Sequence, residues 1–230
     1  MSQRDPFYRF VQWLPRTLWR ALGKLEVHGL ANIPESGPVL LLANHQSILD
    51  PILIQAVIPR HVHAMAKSTQ FASPFMGWLM PRLKAFPVRR YQIDPQAVRV
   101  ALRRLQAGEV VGIYVEGERS WDARLQEPRR GTIRIALHAG VLIVPATITG
   151  SYDVWPRWHR GLRLEPVRID FGPAFRLPTL KDRADRDAAL EDAAATIMGT
   201  LERQLRSAGG WVAPRAKSPN STSDSTADST

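Results

Sequence analysis

The stretch Asn44-His45-Gln46-Ser47-Ile48-Leu49-Asp50 sets a histidine five positions before a carboxylate. A histidine near its reference pKa of about 6.5 can take a proton from an attacking hydroxyl at neutral pH. A carboxylate that accepts from the other ring nitrogen fixes the tautomer and stabilises the imidazolium that forms. Residues five apart do not stack as helical neighbours, so a turn has to bring His45 and Asp50 together. Taken alone, such a pair in a loop is more often structural than catalytic. A second stretch, Tyr114-Val115-Glu116-Gly117-Glu118-Arg119-Ser120, reads as a strand ending in a glycine turn that exposes Arg119. A guanidinium fork there suits the gripping of phosphate, although surface arginines are common.

Other residues offer weaker chemistry. His61 and His63 share a face if they lie on a strand, but no third metal ligand stands at a telling spacing. Ser47 lacks the Gly-x-Ser-x-Gly elbow of a hydrolase nucleophile. The absence of cysteine removes disulfides, thiolate zinc sites and thiol nucleophiles together. Arg99, Arg103, Arg104, Arg124, Arg129, Arg130 and Arg134 suggest a nucleic-acid patch, but no base-stacking module accompanies them. Solvated helix faces account for most of them, and no nucleic-acid partner is expected.

The elements that must carry the two stretches follow from hydrophobic spacing. Val39 to Ala43 reads as a short, fully buried strand ahead of His45, and Asp50 to Val57 as a helix after it. Further strands are expected at His61 to Ala66, Val110 to Val115 and Val141 to Thr149, with Leu162 to Phe171 strand-rich. Helices are expected over Gln96 to Ala107, Thr132 to His138 and Asp182 to Arg206, and Phe71 to Leu83 is rich in large apolar residues. Strands alternating with helices indicate a single α/β domain, with a largely parallel mixed sheet flanked by helices. The two stretches would then sit on strand-end loops, where α/β folds present functional groups.

Ahead of this domain, Phe7, Phe10, Val11, Leu14, Leu18, Ala21, Leu22 and Leu25 fall on one helical stripe. Arg9, Arg16 and Arg20 lie opposite, with Trp13 and Trp19 near the boundaries. Either this helix packs on the domain core or it lies in a membrane interface. Pro15 inside it leads one to expect a kink or two abutting helices. The organisation expected is an amphipathic membrane-docking segment over 1–25, a domain over 26–212 and a disordered tail over 213–230.

The 230 residues carry a formal net charge of +10, which attracts nucleic acid, anionic bilayers and phosphorylated molecules alike. No apolar run reaches the roughly 20 residues that span a bilayer, and arginines interrupt any secretory signal. The expected place is the cytoplasmic face of the cell membrane, as a peripheral or monotopic protein.

Four groups of residues, in order, resemble the glycerolipid acyltransferase family typified by the 1-acylglycerol-3-phosphate (lysophosphatidate) acyltransferases. They are Asn44-His45 with Asp50; Lys67 through Pro74, Phe75, Gly77 and Trp78 to Pro87-Val88-Arg89-Arg90; Glu116-Gly117-Glu118-Arg119-Ser120; and Val144-Pro145-Ala146. The resemblance implies that His45 is the general base and Asp50 its orienting partner. It implies an acceptor site of Arg90, Glu116, Gly117 and Arg119, helped by Lys67, with Pro145 shaping the pocket floor. The reaction implied moves a fatty acyl group from acyl-CoA or an acyl carrier protein thioester to the free hydroxyl of a lysophospholipid, 1-acylglycerol 3-phosphate, at an anionic membrane surface, giving phosphatidic acid in phospholipid biosynthesis. No metal or other cofactor is implied. Glycerol 3-phosphate, another lysolipid or an amino-lipid is an alternative acceptor. A non-catalytic basic protein binding membrane or nucleic acid is the alternative of a different class. The chain departs from the family at Glu118, where a threonine is usual, at Lys84 for glycine and at Arg89 for aspartate. The first of these sets a carboxylate beside the expected phosphate grip.

Overall fold

The computed structural model describes residues 6–22, 24–91, 94–158, 161–178 and 186–210. Helix α1 (Pro6–Ala21) precedes strand β1 (Leu25–His28). Then come β2 (Val39–Ala43), α2 (Asp50–Val57), β3 (Val62–Lys67), α3 (Pro74–Arg82), β4 (Phe86–Val88), α4 (Pro95–Gln106) and β5 (Val110–Tyr114). The order ends with α5 (Arg130–Ala139), β6 (Leu142–Thr149), α6 (Ser151–Val154), β7 (Val167–Phe171) and α7 (Arg186–Ser207). The tail expected over 213–230 lies outside the described residues.

One sheet runs in the order β1-β7-β6-β2-β5-β3-β4. Neighbours are parallel except β6 and β7, so the expected α/β fold with a largely parallel mixed sheet is what forms. β2 lies at the centre and is buried along its whole length. Its alternating side chains serve two cores. Leu40 and Leu42 pack with Ala101, Ile133 and Leu201 of α4, α5 and α7. Val39, Leu41 and Ala43 pack with Leu53 and Ile54 of α2 and with Trp19 of α1. Burying each such leucine contributes about 1.5–3 kcal/mol. Because β2 to β6 run the same way, the loops that follow these strands gather along one edge of the sheet. His45, Lys67, Arg90 and the 115–121 segment all meet there.

Several elements differ from expectation, the short helix α6 among them. β4 is an unanticipated strand, because three residues containing Pro87 leave no readable period. Within Leu162 to Phe171, only Val167–Phe171 forms a strand. α1 runs through Pro15 as one element rather than two. Anchors on both sides of the proline fix it to one body. The Tyr8 hydroxyl accepts from Val62 N (3.2 Å), Gln12 Nε2 donates to the carbonyls of Gln55 and Ile58 (2.8 and 3.1 Å), and Trp19 Nε1 donates to that of Glu165 (3.3 Å).

Those anchors lie opposite the apolar stripe. Tyr8 and Trp19 are the buried residues of α1, while Phe10, Trp13, Leu14, Leu18 and Leu22 are each between 41% and 54% exposed. Trp19 is therefore a core anchor and not a boundary residue. Phe7 meets Trp78 of α3 edge-on at 5.8 Å, so the stripe continues onto exposed Phe75 and Trp78. No helix among the described residues is long and apolar enough to cross a membrane.

Candidate active site

His45 is the second residue past β2, and four contacts fix its backbone. The Asn44 carboxamide donates to Ile148 O (2.9 Å) and accepts from Ile148 N (2.8 Å), continuing the β2–β6 ladder beyond the strand. His45 N donates to Glu116 Oε1 (2.7 Å), and Ser120 N donates to His45 O (2.7 Å). The turn the spacing required is wound around Asp50, whose Oδ2 accepts from Gln46 N (2.7 Å) and Ser47 N (2.8 Å). The same oxygen lies 2.8 Å from His45 Nδ1. This leaves Nε2 as the ring nitrogen without a partner among the described residues.

The imidazole stacks on the Tyr114 ring, with centroids 4.0 Å apart and planes 18° from parallel. Burial lowers the His45 pKa, Asp50 opposes this, and the charges of Arg90 and Arg119 lower it further. The ring is thus held neutral and able to accept a proton. Beneath Tyr114, between α2 and the sheet, lies an apolar cavity lined in part by Ala43, Ile54, Ala64 and Ile113. Ser47 is fully buried and its hydroxyl donates to Trp155 O (3.1 Å), so it is not presented as a nucleophile.

Among the other candidates, Arg90 and Arg119 come to the His45 edge. Both are partly buried, and burial lowers both pKa values. Neither makes an ion pair or side-chain hydrogen bond among the described residues. Lys67 ends β3 beside Val88, at the same edge. Glu116 is 2% exposed and its oxygens accept from His45 N and Gln126 N (3.1 Å). Burial pushes its carboxyl up to about 8 against those amides. The geometry makes it a latch beneath the His45 loop. Gly117 has φ 69°, and a Cβ there would lie 2.7 Å from Arg129 Cγ, so turn geometry and packing both require glycine. Pro145 pairs across from Leu42 and packs beside Gly172 and Gln204, on the α7 side of the sheet. His45 and Asp50 stand on the α2 side.

Glu118 does not turn toward Arg119. Its oxygens take the Tyr91 hydroxyl (2.9 Å), Arg129 Nη2 (2.8 Å) and Arg157 Nη1 (3.2 Å). Sequence reasoning passed over Tyr114 as a ring platform, Asn44 as a backbone mimic and Arg157 altogether. The first two adjoin the motifs and were within reach, whereas nothing local marks Arg157. His63 is spent on Glu109 (3.2 Å) and His61 packs edge-on against Tyr8, both remote from His45 along the sheet.

The arrangement can draw a proton from a hydroxyl at His45 Nε2 and hold an anion nearby. A family model described as Acyltransferase matches residues 24–149. The chloroplast 1-acyl-sn-glycerol-3-phosphate acyltransferase of Arabidopsis thaliana is 30% identical over 168 residues, covering 69% of this chain and 46% of that one. The 1-acyl-sn-glycerol-3-phosphate acyltransferase of Bacillus subtilis is 28% identical over 205 residues, covering 86% and 98%. The chain thus spans about half the length of the chloroplast relatives and nearly all of the Bacillus one. The fold matches the crystal structure of the 1-acyl-sn-glycerophosphate acyltransferase of Thermotoga maritima with a TM-score of 0.68 at 22% identity, covering 86% of this chain and 80% of that one.

Proposed function

The chain belongs to the acyltransferase family, and on that premise we propose that it transfers a fatty acyl group from a thioester to the free hydroxyl of 1-acylglycerol 3-phosphate, giving phosphatidic acid. The observation that carries this reading is the 2.8 Å contact of His45 Nδ1 with Asp50, which leaves Nε2 for the acceptor. The acceptor O–H donates to Nε2. As its proton passes to His45, the oxygen attacks the thioester carbonyl. The tetrahedral intermediate collapses with departure of the thiolate, which takes the proton back from the imidazolium. Asp50 stays ionised and stabilises that imidazolium. Arg90 and Arg119 hold the acceptor phosphate, with Lys67 at the same edge.

The relatives' names support the acceptor. The thioester carrier, coenzyme A or acyl carrier protein, is open to direct assay. The exposed apolar face of α1 and α3 supports docking on a membrane surface as a peripheral protein. The test is turnover of a labelled acyl thioester with detergent-dispersed lysophosphatidate. The parent protein is expected to form phosphatidic acid, and a folded His45→Ala variant to lose about 10²–10⁴-fold in kcat. Near-full activity in that variant would remove His45 from the chemistry.

A further inference from the structure

Arg157 follows α6 and lies beyond the 24–149 match, so no motif marks it. Its Nη1 nonetheless donates to Glu118 Oε2 and to the carbonyl of Arg119, both at 3.2 Å. Its guanidinium carbon sits 3.6 Å from the centre of the Trp121 ring. Trp121 stacks with Trp158 at 5.4 Å and its carbonyl accepts from the Tyr152 hydroxyl (3.0 Å). Both partners of Nη1 and the ring beneath it belong to the 116–121 segment, whose Ser120 amide is bonded to His45 O. Arg157 is therefore fastened to the loop that carries Arg119. Its Nε and Nη2 have no partner among the described residues.

We propose that Arg157 is a third arginine of the acceptor-headgroup site, oriented by Glu118 and Trp121, and that the ligand it helps to hold is a dianionic phosphate monoester. The charge arrangement carries the ligand class. Arg129 and Arg157 pair with the carboxylate of Glu118, and Arg90 lies within its electrostatic reach without pairing. Arg90, Arg119 and Arg157 lie within electrostatic reach of one another. Like charges held together in a partly buried place repel, and an anion with several acceptor oxygens relieves them. A monoester dianion offers three such oxygens and more charge than a diester, so it matches three forks best. Glu118, which stands where the family has threonine, then serves to aim Arg157 and does not repel the ligand.

This inference rests on the proposed acyltransfer, so its test has a binding arm that needs no turnover. Calorimetric titration of the full chain with glycerol 3-phosphate should show binding that weakens about tenfold or more in Arg157→Ala. Arg157→Lys, which keeps the charge but loses the fork, should fall between. In the kinetic arm, Arg157→Ala should raise KM for lysophosphatidate by a similar factor, with KM for the thioester and for phosphate-free monoacylglycerol unchanged. Equal glycerol 3-phosphate affinity in parent and both variants would overturn the proposal, as would equal KM increases for phosphorylated and phosphate-free acceptors. A parent that binds glycerol 3-phosphate through Arg157 yet acylates nothing would uphold the anion site and refute the acyltransfer reading. Should Arg157→Ala not fold, the lysine variant and its melting temperature carry the comparison.

Discussion

A single oxygen of Asp50 accepts from three nitrogens, the His45 ring and two amides of the turn that joins them, while its other oxygen is buried without a partner among the described residues. One carboxylate thus builds the turn and orients the base. Such a local device is readable from spacing, because every partner lies within five residues. Glu116 is the opposite case. The resemblance puts it in the acceptor site, and its carboxylate grips the amides of His45 and Gln126, which are apart in sequence and meet through the β2–β5 pairing. Arg157, delivered from beyond the motifs, was equally out of reach.

Two outcomes belong to these residues. Burial together with Arg90 and Arg119 outweighs Asp50 and keeps the His45 pKa below that of a free histidine. The acid limb of kcat/KM should therefore have its inflection below about 6.5. An inflection at or above that value would mean that the titrating base is in a more open site. For Glu116, the folded carboxyl is raised to about 8, above its unfolded value near 4.3, so the folded state holds the proton more tightly between the two. Its contribution to stability falls as pH rises through that window and levels off above about 8. Urea midpoints of the parent from pH 5.5 to 8.5 should show that fall, and Glu116→Gln should lack it. Parallel profiles would place the slope on other groups.

At the scale of elements, the alternating strands and helices were legible, since each is long enough to show its period. β4 was not, because three residues with a proline carry none. The side by which α1 docks was also hidden. A stripe of Phe10, Leu14, Leu18 and Leu22 serves a core or a bilayer equally, and only the tertiary anchors of Tyr8, Gln12 and Trp19 decide that it faces outward. The two sides should respond differently to substitution. Leu14→Ser with Leu18→Ser should leave the melting temperature nearly unchanged while lowering vesicle binding. Trp19→Ala should destabilise the fold by about 3–5 kcal/mol, as a lost buried indole does. A large stability loss in the double leucine variant would return the stripe to the core.

At the scale of the whole molecule, the proposed docking on a membrane combines two attractions, and salt separates them. The net charge of +10 draws the chain to anionic headgroups with roughly 1 kcal/mol for each basic residue near the surface. That pull is screened as the Debye length shrinks from about 10 Å at 0.1 M salt to about 3 Å at 1 M. The exposed apolar face formed by α1 with Phe75 and Trp78 is indifferent to screening, because burying it depends on area removed from water. Co-sedimentation with phosphatidylglycerol-containing vesicles should fall as salt rises from 0.1 to about 1 M and settle on a salt-independent remainder. Neutral phosphatidylcholine vesicles should show that remainder alone, at every salt concentration. The Leu14→Ser and Leu18→Ser variant should lose the remainder while keeping the salt-sensitive part. Binding that vanishes completely with salt in the parent would leave charge as the sole attachment, and the outward stripe of α1 would then have no part in holding the protein to its substrate's bilayer.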